Sequence, residues 1–321
     1  MADILAIGEM LIDFTENVLD NGEISYKRNA GGAPANVAVM AAKLGTSSGF
    51  IGKVGKDMFG KYLKQVLVDN GVETNGLILD SNYSTTLAFV GKNEDGDRDF
   101  VFYRQNGADA NLNYKEIRLK LIDSCKLLHF GSLMLTNEPS KSAAIGAVEY
   151  AKEKGKIISY DPNYRERLWS SKADAVRAMQ SVLPLVDIIK VSEDELQILT
   201  DLGNMIPAIA KVLNTGVKVI CITQGAKGCV IATKKGIETI RTFKVDTIDT
   251  LGAGDSFFGT FLSQLVKSGK TLDELTMADL KSFAVYANAC GSLSSTKQGA
   301  IPAMPTDEEI KELIANGAIL Q

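Results

Sequence analysis

Histidine is almost missing from this chain: His129 is the only one among 321 residues. Ser–His and Cys–His catalysis needs an imidazole beside its nucleophile, and imidazole is also the commonest ligand of protein-bound transition metals. Both chemistries therefore have almost no material here. His129 lies in the apolar run KLLHF (residues 126–130) and reads as a packed strand residue. The four cysteines, Cys125, Cys221, Cys229 and Cys290, form no CxxC pair and have apolar neighbours, so they read as buried free thiols and not as zinc ligands or a redox dithiol. An excess of one charge is absent too. With 35 basic and 39 acidic residues spread evenly, the net charge is −4, which gives no footprint for gripping nucleic acid or an anionic membrane. No apolar run approaches the roughly 18 residues that span a bilayer. The opening MADILAIGEMLIDF carries Asp3 and no basic lead, so it reads as a buried first strand and not as a secretory signal. A cytoplasmic protein is the expectation. Repeats, low-complexity segments and long linkers are also absent.

What is present is an alternation of short apolar, β-rich runs with amphipathic helical stretches. The runs at residues 4–7, 50–54, 126–130, 156–160, 187–191 and 218–223 read as strands. Residues 35–44, 59–70, 138–154 and 255–267 read as helices with apolar positions three and four apart. That is the βαβ signature of an α/β protein, a mainly parallel central sheet covered by helices on both faces. Two segments break the alternation, residues 11–28 and 85–104. The second contains TLAFVGKNEDGDRDFVFYR, which reads as strand, Asp-Gly turn, strand. Such insertions near strand ends either close over a site as a small β lid or extend the main sheet at its edge. The whole chain, residues 1–321, reads as one unit of core plus lid.

The densest chemistry lies in DTLGAGDSF (residues 249–257). Gly252 and Gly254 allow a tight turn and close approach of a ligand, and an apolar helical run follows. Unpaired amides at a helix N-terminus, with the positive end of the helix dipole, make an anion site suited to a phosphate. Asp255 at its rim can take the proton of an attacking hydroxyl, and the dipole is expected to lower its pKa. The same aspartate is equally a favoured helix cap. Other glycine patterns fail: Phe257 stands where a dinucleotide fingerprint needs its third glycine, and Gln264 where a phosphate loop ending in GKT (residues 269–271) needs its first.

Further candidates stand beside predicted strand ends. In GGAPAN (residues 31–36), Gly32 exposes backbone and Asn36 offers donor and acceptor at a helix start, and Asp13 follows the first strand, where it serves either a sugar hydroxyl or a solvated turn. DPNYRERLW (residues 161–169) offers Asn163 and Arg165 at the carboxyl end of a strand, where open α/β sheets bind ligands. Tyr103 and Arg104 close the second hairpin as lid contacts, with surface solvation the alternative. In KVSEDE (residues 190–195), Glu193 can hold magnesium through waters, while Ser192 and Glu195 spell a capping box. TQGAKG (residues 223–228) is either a phosphate-approach loop or an ordinary hairpin turn.

These motifs together resemble the ribokinase-like (PfkB-type) carbohydrate kinases, most closely bacterial fructokinases, over essentially the full length. Both family signatures occur in order, GGAPANVAVMAAKLG (residues 31–45) and DTLGAGDSFFGTFL (residues 249–262), with KVSEDE and TQGAKG between them. The resemblance implies a ribokinase-like core with a β lid, ATP and Mg2+ as cofactors, and a sugar held between core and lid. It implies Asp255 as base, with the amides of Gly252, Ala253 and Gly254 as anion hole. Asp13, Gly32, Asn36, Arg104 and Arg165 become sugar contacts. Lys190, Thr223, Gly225, Gly228 and Asn288 become nucleotide-side positions, Glu193 supports Mg2+, and Asp249 with the segment near Gly299 binds a monovalent cation such as K+. Lys190 departs from the asparagine common at that point, and reads as an altered phosphate contact. The implied reaction is phosphorylation of D-fructose at its 6-hydroxyl. Related 2-keto-3-deoxygluconate and riboside kinases share parts of these motifs, and a non-catalytic sugar-binding regulator is the reading outside enzymes. Exposed lid edges suit a homodimer.

Overall fold

The computed structural model describes residues 2–92 and 98–320. The Asp-Gly turn expected at residues 95–96 lies outside them.

The predicted alternation of strands and helices is what folds. Among the described residues the strands are β1 (Ile4–Ile7), β2 (Leu11–Val18), β3 (Ile24–Gly31), β4 (Ser48–Gly55), β5 (Glu73–Asp80), β6 (Leu87–Lys92), β7 (Arg98–Tyr103), β8 (Leu127–Gly131), β9 (Ile157–Asp161), β10 (Ile188–Ser192), β11 (Val219–Thr223), β12 (Cys229–Thr233) and β13 (Gly236–Ile240). The α-helices are α1 (Ala33–Lys43), α2 (Met58–Asp69), α3 (Leu119–Ser124), α4 (Ser140–Glu153), α5 (Lys172–Ser181), α6 (Glu193–Thr200), α7 (Met205–Leu213), α8 (Ala253–Ser268), α9 (Met277–Ser294) and α10 (Asp307–Asn316).

Nine strands form the main sheet in the order β13-β12-β11-β10-β9-β8-β1-β4-β5. From β11 to β5 every pairing is parallel, while β12 and β13 add an antiparallel edge. Because side chains alternate along a strand, β1 sends Leu5 and Ile7 to one face and Ile4 and Ala6 to the other. Leu5 and Ile7 join a core with α4 to α7, whereas Ile4 packs with α8 and Ala6 with α1. Helices thus cover both faces. All four cysteines are free and buried in these layers, where burial pushes the Cys290 and Cys229 thiols up to about 12.

The two interrupting segments pair with each other and not with the main sheet. They form a four-stranded sheet in the order β3-β2-β6-β7, joined through a parallel β2–β6 contact. The edge-extension alternative is therefore not what forms. In register, Asp13 lies beside Ala88, and Ala88 opposite Phe102. The next residues along, Phe14, Phe89 and Val101, occupy the other face, where Phe14 and Phe89 stack at 5.1 Å.

Candidate active site

The first turns of α1 and α8 meet beyond the carboxyl ends of the main-sheet strands. Gly259 permits this approach: a Cβ there would come within 2.8 Å of the Val37 carbonyl oxygen on α1. As a result Asn36 Nδ2 donates to Asp255 Oδ2 at 2.8 Å, across 219 residues of sequence. The two sequence signatures become one site. A cleft of about 390 Å³ opens over this contact. Asp13 and Phe102 of the small sheet form one wall, and the core wall carries Glu9, Asn163, Arg165 and the loop leading into Asp255.

The loop before α8 keeps its backbone exposed to the cleft. Gly252 caps the helix at φ 74°, and a Cβ there would fall 2.6 Å from that of Ala300, so glycine is required for both conformation and space. A Cβ on Gly254 would reach within 3.0 Å of the Lys190 ammonium. Amides at the helix start, the dipole and a lysine thus converge on one small volume, which is the physical description of an anion hole.

Asp255 is half-buried at the cleft, and its electrostatics differ from the expectation drawn from the dipole alone. Burial first, then repulsion from Asp161, push its carboxyl up to about 6 against the pull of Lys190, Asn36 and Arg165. Desolvation outweighs the helix end. Lys190 Nζ sits 2.9 Å from Asp161 Oδ2, both groups buried. Burial alone would lower the lysine, but Asp161, Glu195 and Asp255 hold the ammonium above its ordinary range.

The other predicted residues divide between cleft and scaffold. Asp13, Gly32, Asn36, Asn163, Arg165 and Lys190 line the cleft, and Arg165 reaches over the Phe100 ring at 5.4 Å. Tyr103 does not join them. It lies on the face opposite Phe102, edge-on to Phe89, and is 64% exposed. Nor does Arg104 present free donors, because its guanidinium is spent on Asp109 at 2.6 Å, on Thr136 and on the Leu133 carbonyl. His129 is a packed residue as expected: it is edge-on to Phe258, and burial together with Lys190 pushes it down to about 3.

Of the positions expected on the nucleotide side, Lys190 lines the cleft, and the others lie along β11 to β13. Thr223 ends β11, and Gly225 and Gly228 take positive φ in the turn to β12, so TQGAKG is a hairpin turn. Asn288 donates to the carbonyls of Ile240 and Arg241, bracing the strand end that also packs against Gly228. Ser192 and Glu195 form the full capping box of α6. Glu193, beside them, accepts from Gln224 at 2.7 Å. Among the described residues no group of three acidic, histidine or cysteine side chains could cage a metal. A half-exposed Glu193 fits Mg2+ held through water, since that ion takes few protein ligands and completes its shell with phosphate. Asp249 ties two backbone segments together, accepting from the amides of Leu251 and Gly299.

Comparison with known proteins decides the family. The profile described as pfkB family carbohydrate kinase matches residues 1–307. This chain belongs to that family. The kinase is 44% identical over 310 residues to "Probable fructokinase-3" of Arabidopsis thaliana, covering 95% of this chain and 89% of that one. The solved fructokinase of Xylella fastidiosa with bound ATP superposes with TM-score 0.89 at 29% identity, covering 98% and 99% of the two chains. The fructokinase of Vibrio cholerae O395, in its fructose-, ADP- and calcium-bound form, also gives 0.89, at 32% identity with the same coverage. The kinase fold is thus ribokinase-like, and its chemistry is phosphoryl transfer to a sugar hydroxyl.

Some residues in or behind the cleft wall of this kinase are not singled out by the sequence alone. Asp161, buried beneath Lys190, follows the strand run at residues 156–160 directly, and its place at a strand end is the one local signal it carries. Glu9 lies in GEMLID four residues before Asp13. Phe100 and Phe102 gave an alternation signal without showing which lid face would turn inward.

Proposed function

We propose that this kinase transfers the γ-phosphoryl group of ATP to the 6-hydroxyl of D-fructose. The observation that carries the reading is the half-buried Asp255 carboxylate, fixed by Asn36 at the rim of the α8 anion hole. A hydroxyl seated against Asp255 gives up its proton there as the new P–O bond forms, and a loose phosphoryl transition state asks for little proton transfer early on. Charge growing on the phosphoryl oxygens faces the amides of residues 252–254 and Lys190. Mg2+, held through water by Glu193, would shield the phosphate charge when bound. Asp249 and the Gly299 segment would hold a monovalent cation that stiffens the loop carrying the anion hole.

Fructose is favoured over a sugar acid by the charge of the cleft. Asp13 and Asp255 are acidic, and Lys190 is already paired with Asp161. A ligand carboxylate would meet like charge, whereas a neutral polyol meets acceptors for its hydroxyls. The names of the Arabidopsis, Xylella and Vibrio relatives agree. A coupled ADP-release assay across fructose, 2-keto-3-deoxygluconate and a nucleoside should give fructose the highest kcat/KM, by about tenfold or more. A higher value for the sugar acid would overturn the choice of fructose, and no turnover with any sugar would leave only a binding protein.

The outer lid face supports a homodimer. Val18, Ile24, Tyr26, Val101 and Tyr103 are exposed there around the Phe14–Phe89 stack. Two such faces related by a two-fold axis would cover each other. Sedimentation should show a dimer that Tyr26→Asp with Val101→Asp converts to monomer, and a wild-type monomer at micromolar concentration would refute the pairing.

A further inference from the structure

Two oxygens of cleft-lining residues have no hydrogen-bond partner among the described residues, Asn36 Oδ1 and Glu9 Oε2. A buried polar atom left unpaired costs roughly 1–3 kcal/mol. A ligand that supplies the missing bonds recovers that cost. Asn36 already belongs to the proposed sugar site, whereas Glu9 has no role in the mechanism above.

Glu9 follows β1, is 2% exposed, and uses only one carboxyl oxygen: Oε1 accepts the Ala33 amide at 3.0 Å in the first turn of α1. The groups that face it are Asp109 and Arg104 beneath, with Asp13 of β2, Asp255 of α8, and Lys190 and Arg165 sharing the cleft. Burial first, with repulsion from Asp109, pushes its carboxyl up to about 8 against Arg104 and nearby amides. Near neutrality it therefore holds a proton. Since Oε1 is accepting, that proton resides on Oε2, so this oxygen is a donor.

We propose that Glu9 is a specificity-determining residue of the sugar site, donating a hydrogen bond from Oε2 to an oxygen of the acceptor sugar in the wall where Asn36 Oδ1 accepts one. This inference rests on the sugar-kinase reading and adds to it the chemistry of one subsite. Polyols match a donor beside an acceptor, because each hydroxyl both gives and takes a hydrogen bond. A deoxy position matches neither, so a sugar lacking the oxygen that Glu9 contacts is rejected.

Steady-state kinetics and thermal melts of wild type, Glu9→Leu and Glu9→Gln test it, with fructose as the sugar. In Glu9→Leu the KM for fructose should rise about tenfold or more while that for ATP stays within about twofold. Glu9→Gln keeps an acceptor for the Ala33 amide and places an amide donor at the Oε2 position, so it should recover most of the lost sugar affinity. Wild-type KM for fructose should climb as pH passes about 8 and Glu9 ionises, and that climb should be absent in Glu9→Gln. Should Glu9→Leu not fold, the pH profile of Glu9→Gln decides. A lowered Tm with unchanged KM for fructose would reduce Glu9 to a brace for α1 and overturn the proposal. So would a Glu9→Gln variant with the wild-type alkaline climb. If wild type turns over another sugar and not fructose, the fructose reading fails, and the same variants measured on that sugar still judge Glu9.

Discussion

Asp255→Asn is expected to lower kcat by about 10²- to 10⁴-fold, the range over which a positioned general base contributes, while the protein remains folded and binds sugar and ATP. The side chain is isosteric, and its oxygen can still accept from Asn36. What disappears is the ability to hold the hydroxyl proton. The pH dependence carries the sharper signature. Burial and Asp161 push this carboxyl up to about 6, so below that pH the base is protonated and idle. Wild-type kcat/KM should therefore fall tenfold per unit as pH drops below about 6 and be level just above it. Stability should move the other way. The folded pKa lies above the ordinary aspartate value of 3.8, so the carboxyl favours folding most when protonated, and this contribution is lost as pH rises from about 4 through about 6. At pH 7 the partly desolvated charge is a net strain that asparagine removes, and Asp255→Asn should melt higher, by about 1–3 kcal/mol in stability. An inactive but more stable variant marks a base and not a structural residue; the helix-cap alternative is not what forms, because the N-cap of α8 is Gly252 and Asp255 stands inside the first turn. Near-normal turnover in Asp255→Asn, or an acidic limb that persists in it, would remove Asp255 from the role.

That contrast also shows what the sequence could and could not convey. The glycine-rich helix start was legible in DTLGAGDSF because its cause is local: glycine geometry and orphan amides need only neighbouring residues. The pKa of Asp255 was not, since its burial and the repulsion from Asp161 come from segments far away in the sequence. The same division explains Arg104. Read locally, it is a lid arginine available to ligand. In the fold, Asp109 and the Leu133 carbonyl consume its donors. Sheet and lid were legible as alternation and its interruption. Alternation is blind to which face turns inward, so Phe102 and Tyr103 were not separable until β2 and β6 paired. Glu9 carried no pattern of its own. Its significance lies in an oxygen without a partner, a property of packing.

Lys190→Met should be the most disruptive single change in the core wall of the cleft. The ammonium lies 2.9 Å from Asp161, with both groups buried, and Asp255 and Glu195 add to its field. Removing it leaves carboxylates facing one another in a dry site, and breaking a buried pair in this way costs about 3–5 kcal/mol. Methionine fills much the same volume, so the loss is electrostatic and not a cavity. Two kinetic consequences follow. Without the cation, Asp255 is pushed further up, so the acidic limb of kcat/KM should move to higher pH. The transferring phosphoryl group also loses a positive partner beside Gly254, which should lower kcat by about 10²-fold or more even where Asp255 is ionised. The double variant Lys190→Met with Asp161→Asn separates these effects. It removes both charges of the pair, so thermal melts should recover most of the lost stability, while kcat should stay low because no cation faces the phosphate. If kcat returned with stability, Lys190 would be only the counter-ion of Asp161, and the anion hole would consist of the α8 amides alone. A kcat that stays low in a refolded, stable double variant places Lys190 on the phosphoryl group, where its substitution for asparagine in this family would have its chemical reason.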